Sequence, residues 1–261
     1  LNRNHHRSIT HLSKMDQFFS YYEEYIKQTF SNDELLNLYF KNPQILHLLI
    51  NKNIVSVDKS FLNLMDKDID STFVFRQYQG EIQPNIKLEK NKFYMKEKRF
   101  DNYMNYFFFD LKPILSNENV MWIEKTLLDM NKNIFNDFEK KCQIGENDSY
   151  ICQLIREDLI EEFIAYINKE NISLNSEIKP SIFETNAFLN SKKVTLIEYA
   201  AFFGSIQIFQ YLQRNNVELT PSLWMYAIHG NSPDIIQILE DNRIEPSDKT
   251  FKTCLKESIK C

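Results

Sequence analysis

The residues able to do chemistry are few and scattered. His5, His6 and His11 could be drawn as a metal cluster, but no other ligand type stands near them at metal-site spacing. They read as surface residues of a polar terminal segment, and His47 reads as lying on the polar edge of a helix. Glu157, Asp158, Glu161 and Glu162 could serve as paired carboxylates in acid–base work. They fall near a helix start, where acids complement the helix dipole, and that is the preferred reading. Cys142 and Cys152 could supply a nucleophile and its partner, yet no histidine follows in a recognisable context. The four cysteines, Cys142, Cys152, Cys254 and Cys261, make no Cys-x-x-Cys pair, which excludes zinc-ribbon and thioredoxin-like patterns. So few cysteines point to a reducing, cytoplasmic setting. No phosphate-binding glycine loop, dinucleotide fingerprint, nucleophile elbow or His-Glu-x-x-His motif occurs. The expectation is a non-enzyme with no catalytic residue, no metal and no cofactor.

The elements that would carry any site are helices. Only 4 glycines occur in 261 residues, too few for folds rich in tight turns. The net charge of −5 speaks against a nucleic-acid binder. Lys87, Lys90, Lys92, Lys96 and Lys98 are interleaved with Glu81, Glu89 and Glu97, as on a solvated face. The longest apolar cluster, Tyr106-Phe107-Phe108-Phe109, is far short of a membrane span, so no membrane insertion is expected.

Along the chain, residues 1–15 read as irregular. A helix is predicted near Met15–Phe30 from Phe18, Phe19, Tyr22 and Ile26. Ser31-Asn32-Asp33 offers an N-cap to a second helix holding Leu35, Leu36 and Tyr39. Pro43 suits the first turn of a third, with Ile45, Leu46, Leu48 and Leu49. Thr72–Phe75 is predicted as a short strand and Gly80–Asn85 as loop. Helices are predicted again over 92–110 and 119–140, with a break at Pro113 and an interruption near Asn131-Lys132-Asn133. Their stripes (Phe93, Phe100, Tyr103, Met104, Phe107; then Ile123, Leu127, Leu128, Ile134, Phe138) read as core.

The clearest signal is internal repetition. Thr195-Leu196-Ile197-Glu198-Tyr199-Ala200-Ala201-Phe202-Phe203-Gly204 aligns with Ser222-Leu223-Trp224-Met225-Tyr226-Ala227-Ile228-His229-Gly230-Asn231 at an offset of 27. Ile208-Phe209-Gln210-Tyr211-Leu212 then lies over Ile235-Ile236-Gln237-Ile238-Leu239, and Val217 over Ile244. The frame extends to Ser149 and Ile151 at an offset of 46, and to Thr253 and Leu255 at an offset of 31. Ser149, Thr195, Ser222 and Thr253 are placed to cap first helices. Gly204 and Asn231 suit the positive φ that ends them, and Pro233 suits the first turn of a second helix.

This pattern resembles the ankyrin repeat, whose first helix reads Thr-Pro-Leu-His-x-Ala-Ala-x-x-Gly. Thr195, Ala200, Ala201 and Gly204 match it; Leu196 and Glu198 replace the proline and histidine. The resemblance covers roughly 150–261 and is closest to the lineage-expanded ankyrin-containing proteins of parasitic protists. It implies an all-α chain with a helical region over 1–147, then a short, degenerate solenoid of helix–turn–helix repeats at 148–172, 194–220, 221–247 and, in part, 252–261. The 46-residue spacing implies an insertion around Asn168–Lys193, and the partial last copy implies continuation beyond Cys261. Asn42–Leu49 with Ile54 echoes Ser232–Leu239 with Ile244, so 31–54 is either a degenerate copy or two generic amphipathic helices.

What the resemblance implies for function is binding of a protein partner by a monomer. Ankyrin arrays bind through inter-repeat loops and positions late in the first helix, here Phe202, Phe203 and His229. Either these stand exposed and mark the contact surface, or the shortened loops or the N-terminal helices cover them. The alternative function places an unidentified activity, enzymatic or otherwise, in the N-terminal helices, with the repeats serving recruitment.

Overall fold

The computed structural model describes residues 3–58, 60–62, 64, 104–190 and 193–259, with side chains from residue 12 onward. All regular elements among the described residues are helices, so the chain is all-α. The one extended pairing among them is an antiparallel bridge between Glu177 and Thr195. The strand predicted at Thr72–Phe75, the loop at Gly80–Asn85, the Lys87–Lys98 stretch, the Phe93–Tyr103 part of its stripe, and Cys261 lie outside the described residues. No helix among the described residues is long and apolar enough to cross a membrane. The chain divides into two compact units, Lys14–Glu146 and Asn147–Cys261, with Leu1–Ser13 grouping with the second.

α1 (Arg3–Thr29), which belongs to the first unit from Lys14 onward, begins well before the predicted start. Residues 1–15 were expected to be irregular, but no glycine or proline interrupts the helix between Arg3 and Thr29. α2 (Asn32–Tyr39) opens on a capping box: the Ser31 amide donates to Glu34 Oε2 at 2.8 Å while the Glu34 amide donates to Ser31 Oγ at 3.3 Å. α3 (Pro43–Asn51) has Pro43 in its first turn, and Asn42 Oδ1 accepts from the Ile45 amide at 3.2 Å. Phe19, Ile26, Leu35, Leu36, Leu46 and Leu49 are buried. His47 is buried too, not on a polar edge. Its ring lies 6.0 Å from that of Tyr106, and burial lowers its pKa.

Then come α4 (Phe108–Leu111), a 3-10 turn at Lys112–Ile114 where Pro113 interrupts the helix, α5 (Asn117–Met130) and α6 (Phe138–Ile144). Ile123, Leu127, Ile134 and Phe138 are buried as expected, but Leu128 is exposed, so the apolar stripe is narrower than its sequence reading. Gly145 ends α6 at φ +67, where Gln44 Nε2 reaches the Ile144 carbonyl at 2.5 Å.

The second unit is a row of helix pairs. α7 (Tyr150–Glu157) pairs with α8 (Ile160–Lys169). An inserted segment then leads through the short α9 (Ala187–Asn190) to α10 (Leu196–Phe203), which pairs with α11 (Ile206–Arg214). α12 (Leu223–His229) pairs with α13 (Pro233–Asp241), and α14 (Lys252–Ser258) packs on α12. The leading helices α7, α10, α12 and α14 stack in order, burying Leu154, Ile155, Ala200, Ala201, Ala227 and Cys254 among others in one continuous core. The small residues Ala200, Ala201 and Ala227 let neighbouring backbones come close. The approach is closest at Gly230, where an added Cβ would lie 1.8 Å from the Phe202 carbonyl oxygen.

The turns repeat as faithfully as the helices. Between paired helices the chain passes through a left-handed residue, Asp158 (φ 53), Gly204 (φ 68) or Asn231 (φ 47). The following amide bonds five residues back: Leu159 to Leu154, Ser205 to Ala200, Ser232 to Ala227. The second helices end alike. Asn171, Asn216 and Arg243 have positive φ, and the amides of Ile172, Val217 and Ile244 bond the carbonyls of Ile167, Leu212 and Leu239. This is the Schellman arrangement, with its apolar contact between the two bonded positions. Asn53 (φ 53) and the Ile54 amide bonded to Leu49 repeat it at the end of α3.

The predicted hydroxyl caps are only partly found. Thr195 makes a full capping box with Glu198. Ser149 and Ser222 make no side-chain cap, and Ser222 Oγ donates to Glu198 Oε1 at 2.7 Å instead. Thr253 sits inside α14, and its amide donates to Asp248 Oδ2 at 2.7 Å. Asp248 lies five residues earlier and supplies the acceptor from the preceding turn.

Candidate interaction surface

The sequence picks out Phe202, Phe203 and His229, and the fold brings all three to adjacent helix ends on α10 and α12. Phe202 and Phe203 are both buried, so neither presents an exposed face. Phe188 of the inserted segment ahead of α10 packs on Phe202, and Arg156 of α7 lies over Phe203. Asn186 Oδ1 accepts from the amides of Phe188 and Leu189 at 3.0 and 3.3 Å, opening α9. This turn holds the Phe188 ring parallel to the His229 imidazole with centroids 3.8 Å apart, and to the Phe202 ring at 6.2 Å. Tyr226 meets the same ring edge-on at 4.9 Å. His229 Nε2 lies 2.9 Å from Glu257 Oε1 of α14, so one imidazole joins the insertion to the last helix of the row. Phe203 turns the other way, with the Arg156 guanidinium 6.0 Å from its ring centroid.

Behind this corner a polar network fixes the insertion. Arg156 is buried and donates from Nη1 to the Asn147 carbonyl at 2.8 Å and to the Tyr199 hydroxyl at 2.9 Å. The Glu184 carboxylate accepts from the amides of Asn147 (3.2 Å) and Asn186 (2.9 Å). Asn147 Nδ2 donates to the Lys179 carbonyl at 2.8 Å, and Ser181 Oγ to Asp148 Oδ1 at 2.7 Å. The network ties the start of α7 to the inserted segment. Cys152 beside it is buried and its thiol is pushed up to about 12, while burial also raises Tyr199 well above its ordinary value. Cys142 is raised further still by burial. Neither cysteine forms a thiolate near neutral pH, which nucleophilic chemistry would require.

The acidic stretch does structural work. Asp158 Oδ2 and Oδ1 accept from the amides of Gln207 (3.1 Å) and Ile208 (3.0 Å), capping the start of α11 in the next pair. Ser205 Oγ donates back to the Ile155 carbonyl. Glu161 and Glu162 fall in the first turn of α8. Among the described residues no group of His, Cys, Asp and Glu could hold a metal ion.

No protein-family model, curated protein or solved structure matches the chain. The geometry therefore carries the functional argument alone. Among the exposed apolar side chains of this unit, Leu255 and Ile259 of the α14 region stand out most, beside Tyr150 and Phe251. Leu255 is 65% exposed and Ile259 78%. Of their counterparts in the preceding copies, Ile197 and Trp224 are 3% and 4% exposed and Ile155 and Ala201 0%, while Ile151 and Ile228 are half-buried. Sequence reasoning named Leu255 as the buried apolar position of its copy; the structure leaves it in solvent. Phe188, Arg156 and Glu184 were not found in the sequence. The Asn186 cap just before an apolar pair was the one signal of α9.

Proposed function

We propose that this chain is a non-catalytic binding scaffold of ankyrin type, holding a protein partner through apolar side chains exposed on its repeat row. The recurrent helix pairs, the left-handed turn residues and the repeated Schellman ends support the ankyrin reading, and the same ending at Asn53-Ile54 favours a degenerate copy at 31–54. The observation that carries the binding reading is the exposure of Leu255 and Ile259, where the aligned Ile197, Trp224, Ile155 and Ala201 are buried and Ile151 and Ile228 half-buried. The occupant that fits is an amphipathic helix presenting apolar side chains at three- and four-residue spacing. Phe202 and Phe203 contribute by shaping the row, and His229 by holding α14 through Glu257.

The test is affinity capture with the tagged full chain beside Leu255→Asp/Ile259→Asp. Both side chains are exposed, so the fold is expected to survive, with an unchanged circular dichroism spectrum. Loss of specific partners from the double variant supports the reading; undiminished recovery overturns it.

A further inference from the structure

The first unit carries a cluster of exposed aromatic side chains on α1. A cleft of about 340 Å³ runs between α1 and α2, with Phe19 and Ile26 in its lining. Phe18, Tyr21, Tyr22, Tyr25, Phe30 and Leu38 lie along or beside it, each between 42% and 81% exposed. Phe18, Tyr22 and Tyr25 recur at the four- and three-residue spacing of one helix face. None of the nine lining residues is charged. Glu23 and Glu24 are rotated away around the helix, and Glu23 is bridged to Lys27 at 2.5 Å.

We infer that this face binds a second copy of the chain, giving a twofold-symmetric dimer rather than the monomer expected from the sequence. Two quantities select that occupant. The first is area: at ~200 Å² per aromatic side chain, the exposed fractions add to roughly 700 Å² from each copy, close to the ~800 Å² per partner of a stable interface. The second is charge. In an isologous contact the same patch meets itself, so any net charge on it would be repelled, and this lining has none. Tyrosine suits such a contact, because its ring is buried while its hydroxyl stays at the wet rim.

Sedimentation equilibrium of the full chain from about 1 to about 100 µM tests this, since an interface of this size covers that range of affinities. The wild type is expected to associate to a dimer and no further. Phe18→Glu/Tyr25→Glu places like charges across the twofold and is expected to weaken association at least about tenfold. Phe18→Lys/Tyr25→Lys does the same, and mixing the two variants restores a dimer, which a merely unfolded chain would not do. A wild type that stays monomeric throughout, or a Glu variant that associates undiminished, overturns the inference.

Discussion

Asp110 is the residue with the sharpest consequence in solution. Burial of its carboxyl disfavours the charged form, and nearby Glu139 adds to the effect, raising it from the ordinary 3.8 to about 6. Between these two values the folded chain binds more protons than the unfolded one, so stability falls as pH rises from about 4 to about 6 and is level above that. A two-unit shift sets a ceiling of about 3 kcal/mol, and partial exposure of the group brings the expected cost nearer ~1–2 kcal/mol. Asp110→Asn is expected to recover that amount at pH 7 and to flatten the profile, read from urea unfolding at a series of pH values. A wild-type profile without slope between pH 4 and 6 would falsify the assignment. Gly230 shows a different constraint at the same scale. Its φ is ordinary for any residue, and only the Phe202 carbonyl 1.8 Å from an added Cβ demands glycine.

Among the elements, the insertion before α10 has the largest gap between what the sequence shows and what the structure does. Helices in the repeat row are legible because their apolar positions recur with helical period and because Thr195, Gly204 and Pro233 punctuate them. The ending at Asn53-Ile54 is visible in the same way once aligned with Ile244. The insertion has no period, and Phe188 gains its role from where the chain happens to fold back, which no local pattern encodes. The exposure of Phe202 and Phe203 was therefore undecidable from their own repeat, since their cover comes from outside it and from α7. In the first unit, Phe18, Phe19, Tyr22 and Ile26 read as one stripe. The fold turns Phe19 and Ile26 inward and leaves Phe18 and Tyr22 on the surface, because so many neighbouring aromatics cannot all face one core. The role of α9 is testable. Phe188→Ala removes the ring stacked on His229 and is expected to cost about 2 kcal/mol, below the value for a fully buried phenylalanine. It should also quicken carbethoxylation of His229 by diethyl pyrocarbonate, followed peptide by peptide, while buried His47 reacts as before. Equal His229 rates in both proteins would show that the insertion is not its cover.

For the whole molecule the question is how far a local change travels. In a row of repeats each pair leans on its neighbours, so stability is shared along the row. Here the sharing is visible in single bonds: Asp158 caps α11, Ser205 reaches back to Ile155, and Glu257 reaches His229. The two compact units each have a core of their own, with Phe107 and Leu127 fully buried in the first and Ala227 and Leu239 in the second. Gly230→Ala strains α12 against α10 and is expected to cost about 1–3 kcal/mol, as overpacked cores do. That loss should appear as faster exchange of slow amides along α10, α12 and α14, with the amides around Phe107 and Leu127 unchanged. Asp110→Asn should do the converse at pH 7, slowing exchange around Phe107 and leaving the repeat row as it was. If either substitution moves both sets of amides together, the chain unfolds as one cooperative body, and the division at Asn147 is a feature of packing without an energetic counterpart.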